Sequence, residues 1–179
     1  MHVRFSIIAL LLGVLPSLAA PVGSCGGDTA CPLKQGNYRI EFPRDGDTRG
    51  AYVYFHGYQS SAKLQMTQRS LVDMTLAHHL AYVAVDGIGG SWSYPDSPRS
   101  DRNEKAFIAS VFDDLHRRFG FAPAQIVIGG FSMGASMAWY TACQQGDRVA
   151  GMVTFSGVIW DPLPKPEHCV AGLPPIVPS

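Results

Sequence analysis

The sequence predicts an α/β fold: a mostly parallel sheet with helices on both faces. Three observations carry this. Short β-prone apolar runs alternate with segments of helical periodicity. Those runs are nearly continuous rather than alternating, as strands buried on both faces require. The chain has 179 residues, of which 46% are hydrophobic and 16% charged, a globular balance large enough for one domain with its own core. No repeat, low-complexity tract or second domain interrupts the pattern, so residues 20–179 read as a single domain.

The elements follow in order. Tyr38 to Phe42 alternates apolar and charged residues and reads as a first strand, ended by Pro43 and Asp45-Gly46-Asp47. Ala51 to Phe55 is a second β run. A helix is expected from about Leu64 to His79, with Leu64, Leu71, Met74 and His78 roughly on one face of it. Ala81 to Val85 is the third β run, closed by Asp86 and Gly87. From Gly87 to Ser100 the chain is rich in Gly, Ser and Pro and reads as a long loop. Asp101 is the expected cap of the next helix, with Glu104 as its capping partner. Ile108, Val111, Phe112, Leu115 and Phe119 mark that helix's buried stripe, and Gly120 stops it. Gln125 to Ile128 is a short buried strand. Met133 to about Gln145 is a helix stopped by Gly146, and Val149 to Phe155 is a last apolar strand.

The first residues belong to a different category. Met1 to Arg4 is a short basic head, Phe5 to Leu18 is apolar, and Ser17-Leu18-Ala19 supplies small residues where a signal peptidase reads. Residues 1–19 are therefore expected to be a secretory signal, too short for a comfortable membrane span. Val22-Gly23-Ser24-Cys25 faintly resembles a lipoprotein cleavage box but lies outside the apolar run. Secretion, outside the cell or into a periplasm, suits the four cysteines, Cys25, Cys31, Cys143 and Cys169, an even number in an exported chain. Three pairings are possible. Cys25–Cys31 with Cys143–Cys169 is the favoured one, since the first bridge would tether the N-terminus. A C-x5-C spacing with no nearby histidine argues against zinc. No metal and no cofactor is expected. A formal net charge of zero gives no steering toward nucleic acid or an anionic membrane. The expected partner is a neutral small or polymeric molecule, with no membrane attachment once the signal is cleaved, and the oligomeric state is not encoded in any motif.

Gly130-Phe131-Ser132-Met133-Gly134 is a G-x-S-x-G box. A strand before it and a helix after it are the setting in which such a box lifts a serine onto a tight turn. Gly130 and Gly134 let backbones approach without a Cβ clash. Ser132 is the candidate nucleophile; the bland alternative is a small-residue turn with an incidental serine. Tyr54-Phe55-His56-Gly57-Tyr58 ends the second strand with an H-G step. It turns the chain so that a backbone N–H faces the serine, making the Tyr58 and Met133 amides the expected oxyanion pair. His56 and Gly57 are read as support for that turn rather than as a general base.

Together with Gly90-Ser91-Trp92, the helix Ala106 to Leu115, and Phe155-Ser156-Gly157, these pieces resemble the polyhydroxybutyrate depolymerase and feruloyl esterase group of secreted α/β-hydrolases, over about Gly36 to Pro178. The resemblance implies the α/β-hydrolase fold and ester hydrolysis through an acyl-enzyme on Ser132. Trp92 and Tyr94 are candidates to line an acyl or aryl pocket, or else to cover the top of the sheet.

In this fold the triad runs Ser, acid, His along the chain. The family carries its acid in a stretch like H-G-T-x-D and its histidine later. The present sequence ends at Pro174 to Ser179, where that strand would begin, so the acid, the histidine and the last strands are expected to be missing. Asp161 and His168 have the right order but sit seven residues apart in Pro-rich sequence. They are local candidates for acid and base, or simply surface residues. An apolar Val149–Phe155 strand without a successor would leave an exposed edge prone to aggregation. The alternatives to a polyhydroxybutyrate depolymerase-like esterase are a feruloyl or acetyl xylan esterase, a non-catalytic exported relative, and, more remotely, a peptidase.

Overall fold

The computed structural model describes residues 25–95, 97, 99–157 and 169. The expected signal segment, Asp161 and His168 lie outside them. Six strands form one sheet: β1 (Cys31–Leu33), β2 (Gly36–Glu41), β3 (Gly50–Phe55), β4 (Leu80–Val85), β5 (Ile126–Phe131) and β6 (Gly151–Phe155), in the spatial order β1-β2-β4-β3-β5-β6. Strands β4, β3, β5 and β6 pair in parallel, and the β1–β2 hairpin is added antiparallel against β4. The mostly parallel sheet expected from the sequence is present. Strand β1 was not foreseen, because Pro32 and the three-residue length hide it.

Alternation along β3 sorts the two faces. Val53 and Phe55 face one core with Ile108, Val111, Phe112 and Leu115 of α3 (Glu104–Phe119) and Met137 and Ala138 of α4 (Met133–Gln145). Tyr52 and Tyr54 face a smaller core with Ala62, Met66, Val72 and Tyr82. The expected single helix on this second face is two, α1 (Ala62–Met66) and α2 (Arg69–Ala77). Thr67 ends the first by hydrogen-bonding the Leu64 carbonyl through both its N–H and its hydroxyl, and Gln68 is non-helical. The break re-phases the second helix. Ala62, Met66, Val72 and Thr75 go inward, while Leu64 and Met74, from the face the sequence pattern groups together, are 48% and 51% exposed.

The cap of α3 is Asn103, not Asp101: its side chain accepts from the Ala106 N–H at 3.0 Å. Glu104 is not a capping partner either. It is buried, accepts from the Ser93 N–H at 3.1 Å and pairs with buried Arg102 at 2.8 Å. Arg102 also donates to the Asp86 carbonyl and lies over the Phe107 ring at 3.6 Å. This ion pair clips the Gly87–Ser100 loop to the top of the sheet. Gly120 ends α3 at φ 76°, as its position predicts, with His116, Arg117 and Arg118 on the last turn, where cations suit the helix dipole. Gly146, by contrast, stays right-handed at φ −60° and leads into a short 3-10 turn over Gly146–Arg148.

Disulfides join Cys25 to Cys31 and Cys143 to Cys169, the favoured pairing. Among the described residues β6 is the outermost strand at its end of the sheet, and Phe155 on it is 40% exposed. No helix among them is long and apolar enough to cross a membrane, and no group of three or more His, Cys, Asp or Glu is placed to hold a metal ion.

Candidate active site

Ser132 stands between β5 and α4 at φ 53°, ψ −122°. A non-glycine residue rarely adopts such a backbone, and holding it there costs of order 1–3 kcal/mol. What holds it is the surrounding packing. The Ser132 N–H donates to the Phe155 carbonyl at 3.0 Å, and its own carbonyl accepts from Ala135 and Ser136 in the first turn of α4. A Cβ on Gly134 would overlap the Phe55 carbonyl oxygen and come within 2.5 Å of that of His56. One on Gly130 would come within 2.6 Å of the same Phe55 oxygen and 2.5 Å of the Gly134 carbonyl. The two glycines therefore let α4 start directly against the end of β3, and this contact brings the serine turn and the H-G turn together. A Cβ on Gly57 would lie 3.7 Å from Ser132 Cβ and 3.3 Å from the Phe131 ring.

His56 is completely buried and both its ring nitrogens are engaged. Nδ1 lies 2.8 Å from the Gly57 carbonyl, which can only accept, so Nδ1 carries the proton. Nε2 accepts from the Gly87 N–H at 3.0 Å. Burial holds the imidazole below its usual pKa, against the opposing hydrogen bond to Gly57. A neutral ring with neither nitrogen available is a brace. It fixes the Gly57–Tyr58 peptide: with the carbonyl turned to the imidazole, the trans N–H of Tyr58 must point the other way. That N–H donates to no group among the described residues. Met133 is the first residue of α4, so its N–H has no partner within the helix. The expected pair of amides is thus unoccupied by secondary structure on both sides of the serine.

Trp92 and Tyr94 are not groove-lining residues. They are 0% and 4% exposed and belong to the larger core. The Trp92 indole N–H donates to the His56 carbonyl at 2.8 Å, and its ring packs on the imidazole at 4.8 Å. The aromatic-rich loop folds down as a wedge behind the H-G turn, because burying the indole satisfies a carbonyl that would otherwise be orphaned. Asp86 caps a neighbour: it accepts from the Ala62 N–H at 2.8 Å at the start of α1. Ser91, also buried, donates to the Met133 sulfur at 3.6 Å.

A groove of about 510 Å³ opens beside Ser132, a size typical of small-molecule sites. Its apolar walls are Tyr58, Leu64, Leu71 and Phe131. Ser60, Gln65, Gln68 and Ser70 supply polar groups, and Tyr54 and Gly57 complete the lining. None of these residues is charged. Sequence reasoning missed this wall, since Gln65, Gln68 and Ser70 carry no motif. The break between α1 and α2 places them there. Among the described residues no imidazole or carboxylate lines the groove. His78 and His79 follow α2, and His116 lies on α3 with Nδ1 3.1 Å from the Phe121 carbonyl.

No curated protein sequence matches this chain. A family model described as phospholipase/carboxylesterase matches residues 96–172, less than half of it. Among solved structures, FphF, a fluorophosphonate-binding serine hydrolase of Staphylococcus aureus, is 21% identical with a TM-score of 0.61, over 73% of this chain and 56% of that one. An acetyl xylan esterase from Aspergillus awamori is 16% identical with a TM-score of 0.58, over 68% and 47%. Esterase PE8 is 23% identical with a TM-score of 0.57, over 79% and 72%. The chain spans about half the length of the first two. With the sheet order and the serine turn, these likenesses establish the α/β-hydrolase fold.

Proposed function

We propose that the protein is a secreted serine carboxylic ester hydrolase, similar to polyhydroxybutyrate depolymerases, acting through an acyl-enzyme on Ser132. The observation that carries this is the left-handed backbone at Ser132, at the junction of β5 and α4, beside a groove and two uncommitted amides. Such strain is retained where the surroundings over-determine it, and it presents a hydroxyl rather than buries one.

In this reading Ser132 Oγ attacks the ester carbonyl carbon and the carbonyl oxygen becomes an oxyanion. The Tyr58 and Met133 N–H groups donate to that oxyanion. Collapse expels the alcohol, which takes up the proton that the serine gave to a base. Water then attacks the acyl-enzyme and releases the acid. The base and its orienting acid are assigned to no described residue. Asp161 and His168 are the candidates in chain order.

A fluorophosphonate probe with 4-nitrophenyl acetate and butyrate tests the reading. Labelling at Ser132 and its loss in Ser132→Ala are expected, and an unlabelled Ser132 overturns the nucleophile assignment. Abolished turnover in His168→Ala, with labelling slowed, assigns the base to His168; unchanged turnover removes it. Release of 3-hydroxybutyrate from polyester, against ferulate or acetate from substituted xylan, separates the substrate classes. The absence of a described imidazole or carboxylate from the groove favours a second reading, an exported binding protein of the same fold. Ester binding without any labelling would establish that one.

A further inference from the structure

The lining of the groove includes a tyrosine whose hydroxyl has no hydrogen-bond partner among the described residues. Tyr54 lies on the same face of the sheet as Tyr52 and Tyr82, with ring centroids 5.9 Å from each. The three hydroxyls have different surroundings. Tyr52 donates to the Val153 carbonyl at 3.4 Å. The Tyr82 hydroxyl is buried and has no partner among the described residues. The Tyr54 hydroxyl donates to no described protein group, yet unlike that of Tyr82 it is not fully enclosed, and Tyr54 lines the groove beside Ser132. The residue is only 6% exposed, so little of it is left to bulk water. Around it the described lining is apolar or neutral and polar, with no charged side chain among the described residues to attract an ionic group.

We propose that Tyr54 is the specificity-determining donor of this groove: its hydroxyl hydrogen-bonds an ether, hydroxyl or second carbonyl oxygen in the chain of an uncharged ester whose scissile carbonyl sits at Ser132. This rests on the ester-hydrolase reading of Ser132. A poorly hydrated donor favours a ligand that satisfies it and disfavours an isostere that leaves it unpaired. The site therefore prefers chains oxygenated a few bonds from the scissile carbonyl over all-methylene chains of equal length.

Binding to the Ser132→Ala protein tests this without any need for turnover. Two isosteric pairs serve as probes: 4-nitrophenyl methoxyacetate against 4-nitrophenyl butyrate for the acyl side, and 2-methoxyethyl against butyl benzoate for the alcohol side. Dissociation constants come from the amide shifts of Gly57 and Phe131. Adding Tyr54→Phe is expected to reduce the preference for the oxygenated member of one pair about fivefold. Its melting temperature should be unchanged, since the lost hydroxyl has no described protein partner. Tyr82→Phe, in the same ring cluster but away from the groove, should leave both ratios alone. Unchanged ratios in both pairs for Tyr54→Phe, an equal change for Tyr82→Phe, or no binding of any probe at the groove would each overturn the proposal. Binding with the expected ratios, but with an unlabelled Ser132 in the wild-type chain, would keep Tyr54 as a donor and remove only the hydrolase reading.

Discussion

Two turns meet at the candidate site, and they are held by opposite means. The turn after β5 is fixed by what its residues lack. Gly130 and Gly134 have no Cβ, so α4 sits directly on the carbonyls that end β3. The turn after β3 is fixed by what its neighbours add. His56 braces the Gly57 carbonyl and accepts from Gly87, Trp92 caps the His56 carbonyl, and the Gln59 N–H donates to Gly90 at 2.8 Å. Close backbone contact tolerates almost no change, whereas a brace of side chains can be weakened in steps. The strained serine thus stands on the rigid turn, and the Tyr58 amide of the proposed oxyanion pair stands on the adjustable one.

Enlarging the rigid contact should have the largest effect. Gly134→Val drives its Cβ into the Phe55 carbonyl and to within 2.5 Å of the His56 carbonyl oxygen, with two methyls still to place, and backbone atoms cannot move aside as a flexible side chain could. It is expected to cost more than about 3 kcal/mol, at or beyond the upper end for overpacked sites, read as a lower urea midpoint or loss of cooperative unfolding. His56→Ala leaves the part-buried Gly87 N–H and Gly57 carbonyl without their imidazole partner and opens a cavity. About 2–4 kcal/mol of stability should be lost, and fluorophosphonate labelling should slow more than that alone predicts, because the Gly57–Tyr58 peptide is no longer held. Equal labelling rates would show that the brace does not position the amide. Trp92→Phe keeps most of the ring but removes one hydrogen bond to a buried carbonyl, a loss of about 1–2 kcal/mol.

Ser132→Gly runs the other way. Glycine accepts the positive φ without strain, so the variant should gain roughly 1 kcal/mol in denaturant unfolding while losing all labelling. The smallest effect is a slope. Burial holds His56 below its ordinary pKa, so the unfolded chain binds more protons as the pH falls below about 6.5. The contribution of the neutral ring is complete above that pH and declines below it, until the folded-state value is reached. His56→Ala should flatten this acid-side decline. An identical slope in both proteins would place the titration elsewhere.

Much of the site was legible because it depends on local backbone rules. A small-residue box between a strand and a helix, and an H-G step at a strand end, each specify a turn within five residues. The break between α1 and α2 was not legible, since Leu64, Leu71, Met74 and His78 do share a face of a continuous helix. Only contact with Tyr52, Tyr54 and Tyr82 favours the re-phased pair. The burial of Trp92 was equally hidden. A glycine-rich loop bearing aromatics is compatible with either covering a groove or filling a core, and the carbonyl of His56 decides between them.

By itself the sequence determined the strand–helix alternation, the seat of Ser132 and the pairing of turns above the sheet, because periodicity and glycine placement act over a few residues. The tertiary structure alone decided which residues line the groove, where the Tyr54 hydroxyl lies and why His56 cannot serve as a base. Those depend on which distant backbone groups need a partner once they are buried, and no local pattern encodes that.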